Sequence, residues 1–203
     1  MTKPLFKAAK PILFITAILA AGLHFSGCQQ NMVYQRSMAE LNQKAQALMA
    51  SGDVDGAVSR LEAAHDLQPE EPNTTYNLAI AYQTQGSYDK AIPLLKQLIE
   101  QKQLDTAQIQ KTLGITYEAK ADTLAGKASE EAEKTAPDAA KSQQTAEQLK
   151  AESLQSYQLA IESYQQALPG LKNGAEVQKQ IEALEARLKK MEQAQATTGS
   201  GNP

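Results

Sequence analysis

The sequence predicts an all-α helix–turn–helix solenoid of about three repeats, and three observations predict it. Sliding the chain by 34 residues brings Leu48 onto Tyr82, Gly52 onto Gly86, Val54 onto Tyr88, Asp55 onto Asp89, Ala57 onto Ala91, Val58 onto Ile92 and Leu61 onto Leu95. A fixed period of this length, with one packing role per position, marks stacked helix pairs. Within each half-repeat, apolar residues recur at spacings of three and four, the stripe of a helix that buries one face. Gly52 and Gly86 fall between the half-repeats, where a tight turn needs a left-handed backbone.

At the N-terminus, Lys3, Lys7 and Lys10 precede an apolar run of 13 residues, Pro11 to Leu23. That run is too short to span a bilayer and has the length of a secretory signal. It ends in Phe25-Ser26-Gly27-Cys28, which resembles the bacterial lipobox, although phenylalanine stands at Phe25 where leucine is usual. The resemblance implies removal of residues 1–27 and lipidation of Cys28. The alternative is an ordinary signal peptide cut near Ala20-Ala21-Gly22. Cys28 is the only cysteine, so it has no intramolecular disulfide to form. Residues 28–36 then form a short linker that keeps the repeats near the bilayer. Gln29 is not the aspartate that commonly retains lipoproteins in the inner membrane, so the expected place is the periplasmic face of the outer membrane.

Residues 37–170 carry the solenoid. The second unit reads Thr75-Tyr76-Asn77-Leu78-Ala79-Ile80-Ala81-Tyr82, then Gly86-Ser87-Tyr88-Asp89-Lys90-Ala91-Ile92. Leu78 and Tyr82 share a helix face, Ala79 is small where the partner helix comes close, and Ala91, Leu95 and Leu98 stripe the second helix. These residues resemble the tetratricopeptide repeat almost position for position. The first unit is weaker in its first helix, with Lys44 opposite Leu78, and closes on Asp66-Leu67-Gln68-Pro69, whose proline cannot continue a helix.

The third unit is split. Leu113-Gly114 and Tyr117 are displaced 35 residues from the second unit, whereas Tyr157, Ala160-Ile161, Tyr164 and Ala167-Leu168 are displaced 69. The excess is one repeat length. An eroded extra repeat would need a turn near Ala151–Tyr157, where the sequence has no breaker. The favoured reading is a long helical hairpin inserted at about 119–153. Its helices run from about Thr106 to Lys134 and from about Pro137 to Leu168, turning at Thr135-Ala136-Pro137-Asp138. Ala121, Ala125, Ala128 and Ala132 would face Ala139, Ala146 and Leu149 along a thin seam. The bland alternative is a disordered Ala/Glu/Lys/Gln-rich segment.

Residues 171–194 carry Val177, Ile181, Leu184, Leu188 and Met191 as a heptad stripe. Lys179, Glu182, Glu185, Arg187, Lys189 and Lys190 form its charged back. One apolar stripe suits a helix that caps the last repeat; a dimerising coiled coil is the alternative. Residues 195–203 are expected to form a disordered tail.

Composition narrows the function. The chain has 20 basic and 23 acidic residues; loss of the first 27 removes three lysines, leaving 17 basic residues and a net charge of −6. An acidic chain does not suit nucleic acid. No phosphate-binding glycine motif is present, and no cofactor or metal is expected. Besides His24 in the signal, His65 is the only histidine and reads as structural or exposed, so the chain is not expected to be an enzyme.

The resemblance implies a concave groove lined by the first helix of each repeat. Carried over residue by residue, its positions are Asn42, Gln46 and Met49, then Asn73, Tyr76, Asn77, Ile80 and Gln83, then Lys111, Ile115 and Glu118. The central row, Gln46, Ile80 and Ile115, offers two aliphatics to an extended or helical peptide segment. Against this, Tyr76 and Asn77 are common in the repeat and Ile80 could be packing. Asn42 and Gln46 replace the lysine–asparagine pattern with which some relatives clamp a terminal carboxylate. The whole resembles a membrane-anchored adaptor of the bacterial envelope, of the kind serving pilus, outer-membrane or peptidoglycan machinery. Its partners would be envelope proteins. The alternative is a scaffold that self-associates through the arm and the last heptads.

Overall fold

A computed structural model describes residues 37–134 and 139–199; Cys28, the linker and the expected turn at 135–138 lie outside them. The described residues form seven α-helices and no strand. Helix α1 covers 37–51, followed by α2 (Val54–Leu67), α3 (Pro72–Gln85), α4 (Tyr88–Gln101), α5 (Thr106–Ala132), α6 (Ala139–Ala167) and α7 (Ala175–Gly199), with one 3-10 turn at Leu168–Gly170. The all-α solenoid expected from the 34-residue period is the fold observed.

Local chemistry sets the boundaries. Gly52 and Gly86 adopt φ of 85° and 80°, so each ends its helix in the left-handed region that glycine enters without cost. Glu71 caps α3 by accepting from the Asn73 and Thr74 amides, with Pro72 as the first helical residue. Burial alone would raise the Glu71 pKa, but these hydrogen bonds outweigh it and hold the carboxyl below its usual range.

Two apolar clusters run along the stack. Ala45, Val58, Leu61, Leu78 and Tyr82 join α1, α2 and α3. Leu95, Leu98, Ile109, Tyr117, Tyr157, Tyr164 and Ile181 join the rest. The third pair of helices is α5 against α6, and both run on past the repeat as an antiparallel arm. Helix α6 has 29 residues, which makes it about 43 Å long.

The arm's seam differs in detail from the expected one. Ala121, Ala128 and Ala146 are buried, Ala125 and Leu149 only partly, and Ala132 is exposed. Ser142 and Ser153 take the remaining buried places, and the Ser153 hydroxyl donates to the Ala121 carbonyl at 2.9 Å. A small hydroxyl that reaches a backbone acceptor packs as closely as alanine and leaves nothing unsatisfied.

Helix α7 returns along α6 and buries Val177, Ile181 and Leu184. Arg187 stays exposed with the rest of the charged back, and from there its guanidinium pairs with Asp122 at 2.7 Å and lies 4.8 Å from the centre of the Tyr157 ring. One expectation needs correction. The helix continues to Gly199 rather than ending at 194, because Gln193-Ala194-Gln195-Ala196 are good helix formers with no breaker among them.

Candidate functional site

Three first helices, α1, α3 and α5, place the candidate residues on one side of the stack. Several of their polar groups are used between repeats. The Asn42 amide donates to Thr74 Oγ1 at 2.8 Å and to the Met38 carbonyl at 3.0 Å, and the Asn77 amide donates to Asn42 Oδ1 at 3.1 Å. The Tyr76 hydroxyl pairs with Thr112 Oγ1 at 3.0 Å. Asn73 is exposed and donates to Glu71, and Met49 packs on the first apolar cluster. Asn42, Asn77 and Tyr76 thus hold successive repeats in register.

What is left facing outward is narrower. Gln46 is exposed, and Ile80 and Gln83 are half-buried. Ile80 belongs to neither apolar cluster, and Ile115 is 41% exposed. Lys111 is half-buried. The central row therefore presents aliphatic surface that the chain's own core does not use.

Helix α7 adds a wall that sequence reasoning missed. With α5 it bounds a cleft of about 380 Å³ lined by Lys111, Ile115, Glu118, Glu176, Val177 and Gln180, among others. Glu118 joins three helices there: one oxygen accepts from the Tyr164 hydroxyl at 2.8 Å and the other from the Gln180 amide at 2.5 Å. One turn on, Asp122 accepts from the Tyr157 hydroxyl at 2.5 Å and pairs with Arg187. The available signal was the polar row Glu176, Gln180 and Arg187, spaced by four and seven residues beside the apolar stripe of α7.

Residues 48–114 match the tetratricopeptide repeat family. That stretch carries tetratricopeptide repeats. It spans the end of α1, all of α2, α3 and α4, and α5 as far as Gly114, so it includes the Ile80 part of the groove. Tetratricopeptide repeats are protein-interaction scaffolds. No curated protein matches the chain. Among the described residues, no group of three His, Cys, Asp or Glu side chains is placed to hold a metal, and no helix is long and apolar enough to cross a membrane. His65 lies in the last turn of α2, with its Nε2 buried and without a hydrogen-bond partner.

The tyrosines that lock the stack make it sensitive to alkali. Burial, then the hydrogen bond that its hydroxyl donates to the Glu62 carboxylate, push Tyr82 from 10.0 up to about 12. Burial and then Asp122 raise Tyr157, and burial and then Glu118 raise Tyr164. A folded-state pKa above the unfolded one means full stabilisation below the unfolded value and loss as pH rises through the folded value. Chemical denaturation should show stability falling from pH 10 towards about 12, with Tyr82→Phe flattening part of that slope. An unchanged slope in this variant would contradict the contact.

Proposed function

We propose that this chain is a lipid-anchored tetratricopeptide adaptor of a bacterial envelope that binds protein partners through its concave groove. The observation that carries the binding role is the row of Ile80 and Ile115, aliphatic surface outside the core on the face where these repeats hold their ligands. The match over 48–114 supports interaction with proteins as the mode of action. Support for the anchor comes from Lys3, Lys7, Lys10, the apolar run and Phe25-Ser26-Gly27-Cys28. Acyl chains on Cys28 would each contribute about 0.8 kcal/mol per buried methylene. The partners in this reading are envelope proteins of pilus, outer-membrane or peptidoglycan machinery, met at the periplasmic face of the outer membrane.

The two halves are tested separately. In-cell photocrosslinking from position 80, followed by mass spectrometry, should identify a discrete envelope protein. Ile80→Asp should weaken that protein's binding more than about ten-fold, because a charge in an apolar contact is left without a partner. Capture of only this chain would replace the adaptor with a self-associating scaffold. Cys28→Ser should release the protein from membranes and abolish acyl labelling, and retention of both would remove the anchor.

A further inference from the structure

The cleft between α5 and α7 has a chemistry of its own, and resting on the groove reading above it says what kind of segment fits. Its apolar surface is the exposed Ile115 with Ala119 and the edge of Val177. Glu118 stands in this surface in a fixed orientation, held by Tyr164 from α6 and Gln180 from α7. Both holders are neutral donors, so neither brings a countercharge to the carboxylate, and each oxygen has a further lone pair to offer. The other charges in the cleft balance. Asp122 is paired with Arg187, and Lys111 and Glu176 cancel in formal charge. One unbalanced, preoriented carboxylate beside an aliphatic surface remains.

We propose that this cleft takes a basic–aliphatic segment of a partner protein, its aliphatic side chain on Ile115 and its neighbouring lysine or arginine on Glu118. A charged donor on a carboxylate gives a shorter and stronger hydrogen bond than a neutral one, so the lysine or arginine supplies selectivity and the aliphatic contact supplies area. Acidic segments are repelled by the same group.

The probes are three acetylated, amidated hexapeptides with a central leucine flanked by lysine, glutamine or glutamate, titrated into the nitrogen-labelled full-length chain. The lysine peptide should shift amides over 111–122 and 176–180 and bind tighter than the glutamine peptide, which should bind tighter than the glutamate peptide. Glu118→Gln should weaken the lysine peptide about five-fold and remove its advantage over glutamine. Lys111→Gln should strengthen it, and added salt should weaken it. These last two measurements carry the test if Glu118→Gln melts the fold. Equal binding of the three peptides, or preference for glutamate, overturns the proposal. Concentration-dependent shifts in the cleft without peptide would assign it to a second copy of this chain and overturn it as well. Peptide shifts around Ile80 alone, or a partner crosslinked at Ile80 with no peptide effect in the cleft, would overturn this inference and leave the groove reading standing.

Discussion

Tyr157→Ala should lower the unfolding free energy by about 3–5 kcal/mol, one of the largest losses any single truncation would produce here. Tyr157 is fully buried where α5, α6 and α7 meet. Its ring lies under the Arg187 guanidinium and its hydroxyl donates to Asp122, which Arg187 also holds. Truncation therefore opens a cavity, strips the cation of its aromatic face and takes a donor from the carboxylate. Tyr157→Phe separates these effects. It keeps the ring and the cation–π contact and leaves Asp122 with Arg187 as partner, so its cost should be about 1 kcal/mol. Urea denaturation of both variants measures the difference. An alanine variant within about 1 kcal/mol of the parent would mean that the site is not the rigid junction described.

How much of this was legible in the sequence depends on distance along the chain. The 34-residue period exposed α2, α3 and α4 because each repeat buries the same positions, and Gly52 and Gly86 marked their turns because positive φ favours glycine. The bend between repeats after α4 is made by Lys102 at φ 52°, which no composition rule would reveal. The arm's alanines were readable at Ala121, Ala128 and Ala146, but Ser142 and Ser153 were not, since a serine announces burial only once its acceptor is known. The ties through Glu118 and Asp122 link residues dozens of positions apart with no period to betray them. In the groove, the helix face was correctly legible, but the sequence does not show that Asn42 and Asn77 hydrogen-bond each other while Ile80 is left outside the core. Pattern locates a face; pairings decide which residues on it remain free.

Gly114→Ala should destabilise the fold by about 1–2 kcal/mol and Gly114→Val by about 3 kcal/mol, although alanine is the better helix former. A Cβ at position 114 would lie 2.7 Å from Tyr164 Cδ1 and 2.8 Å from Cε1. The ring is buried and its hydroxyl is committed to Glu118, so it can yield only by abandoning that bond or by driving α6 off α5. The repeats explain the glycine. Ala45 goes with Leu61, Ala79 with Leu95 and Gly114 with Tyr164 at equivalent positions of successive helix pairs, all buried. Where the second helix brings a larger side chain, the first gives up its methyl, and total volume at the crossing is kept. Gly126 is the internal control. It sits in the same helix with nothing within 4 Å of a built Cβ, so Gly126→Ala should stabilise by about 0.5–1 kcal/mol through helix propensity alone. Combining Gly114→Ala with Tyr164→Leu should cost less than the sum of the single changes, because the leucine recreates the pairing found at Ala79 and Leu95. If Gly114→Ala stabilised as Gly126→Ala does, the close approach of α5 to Tyr164 would be wrong. The orientation of Glu118 in the cleft would then lose its support.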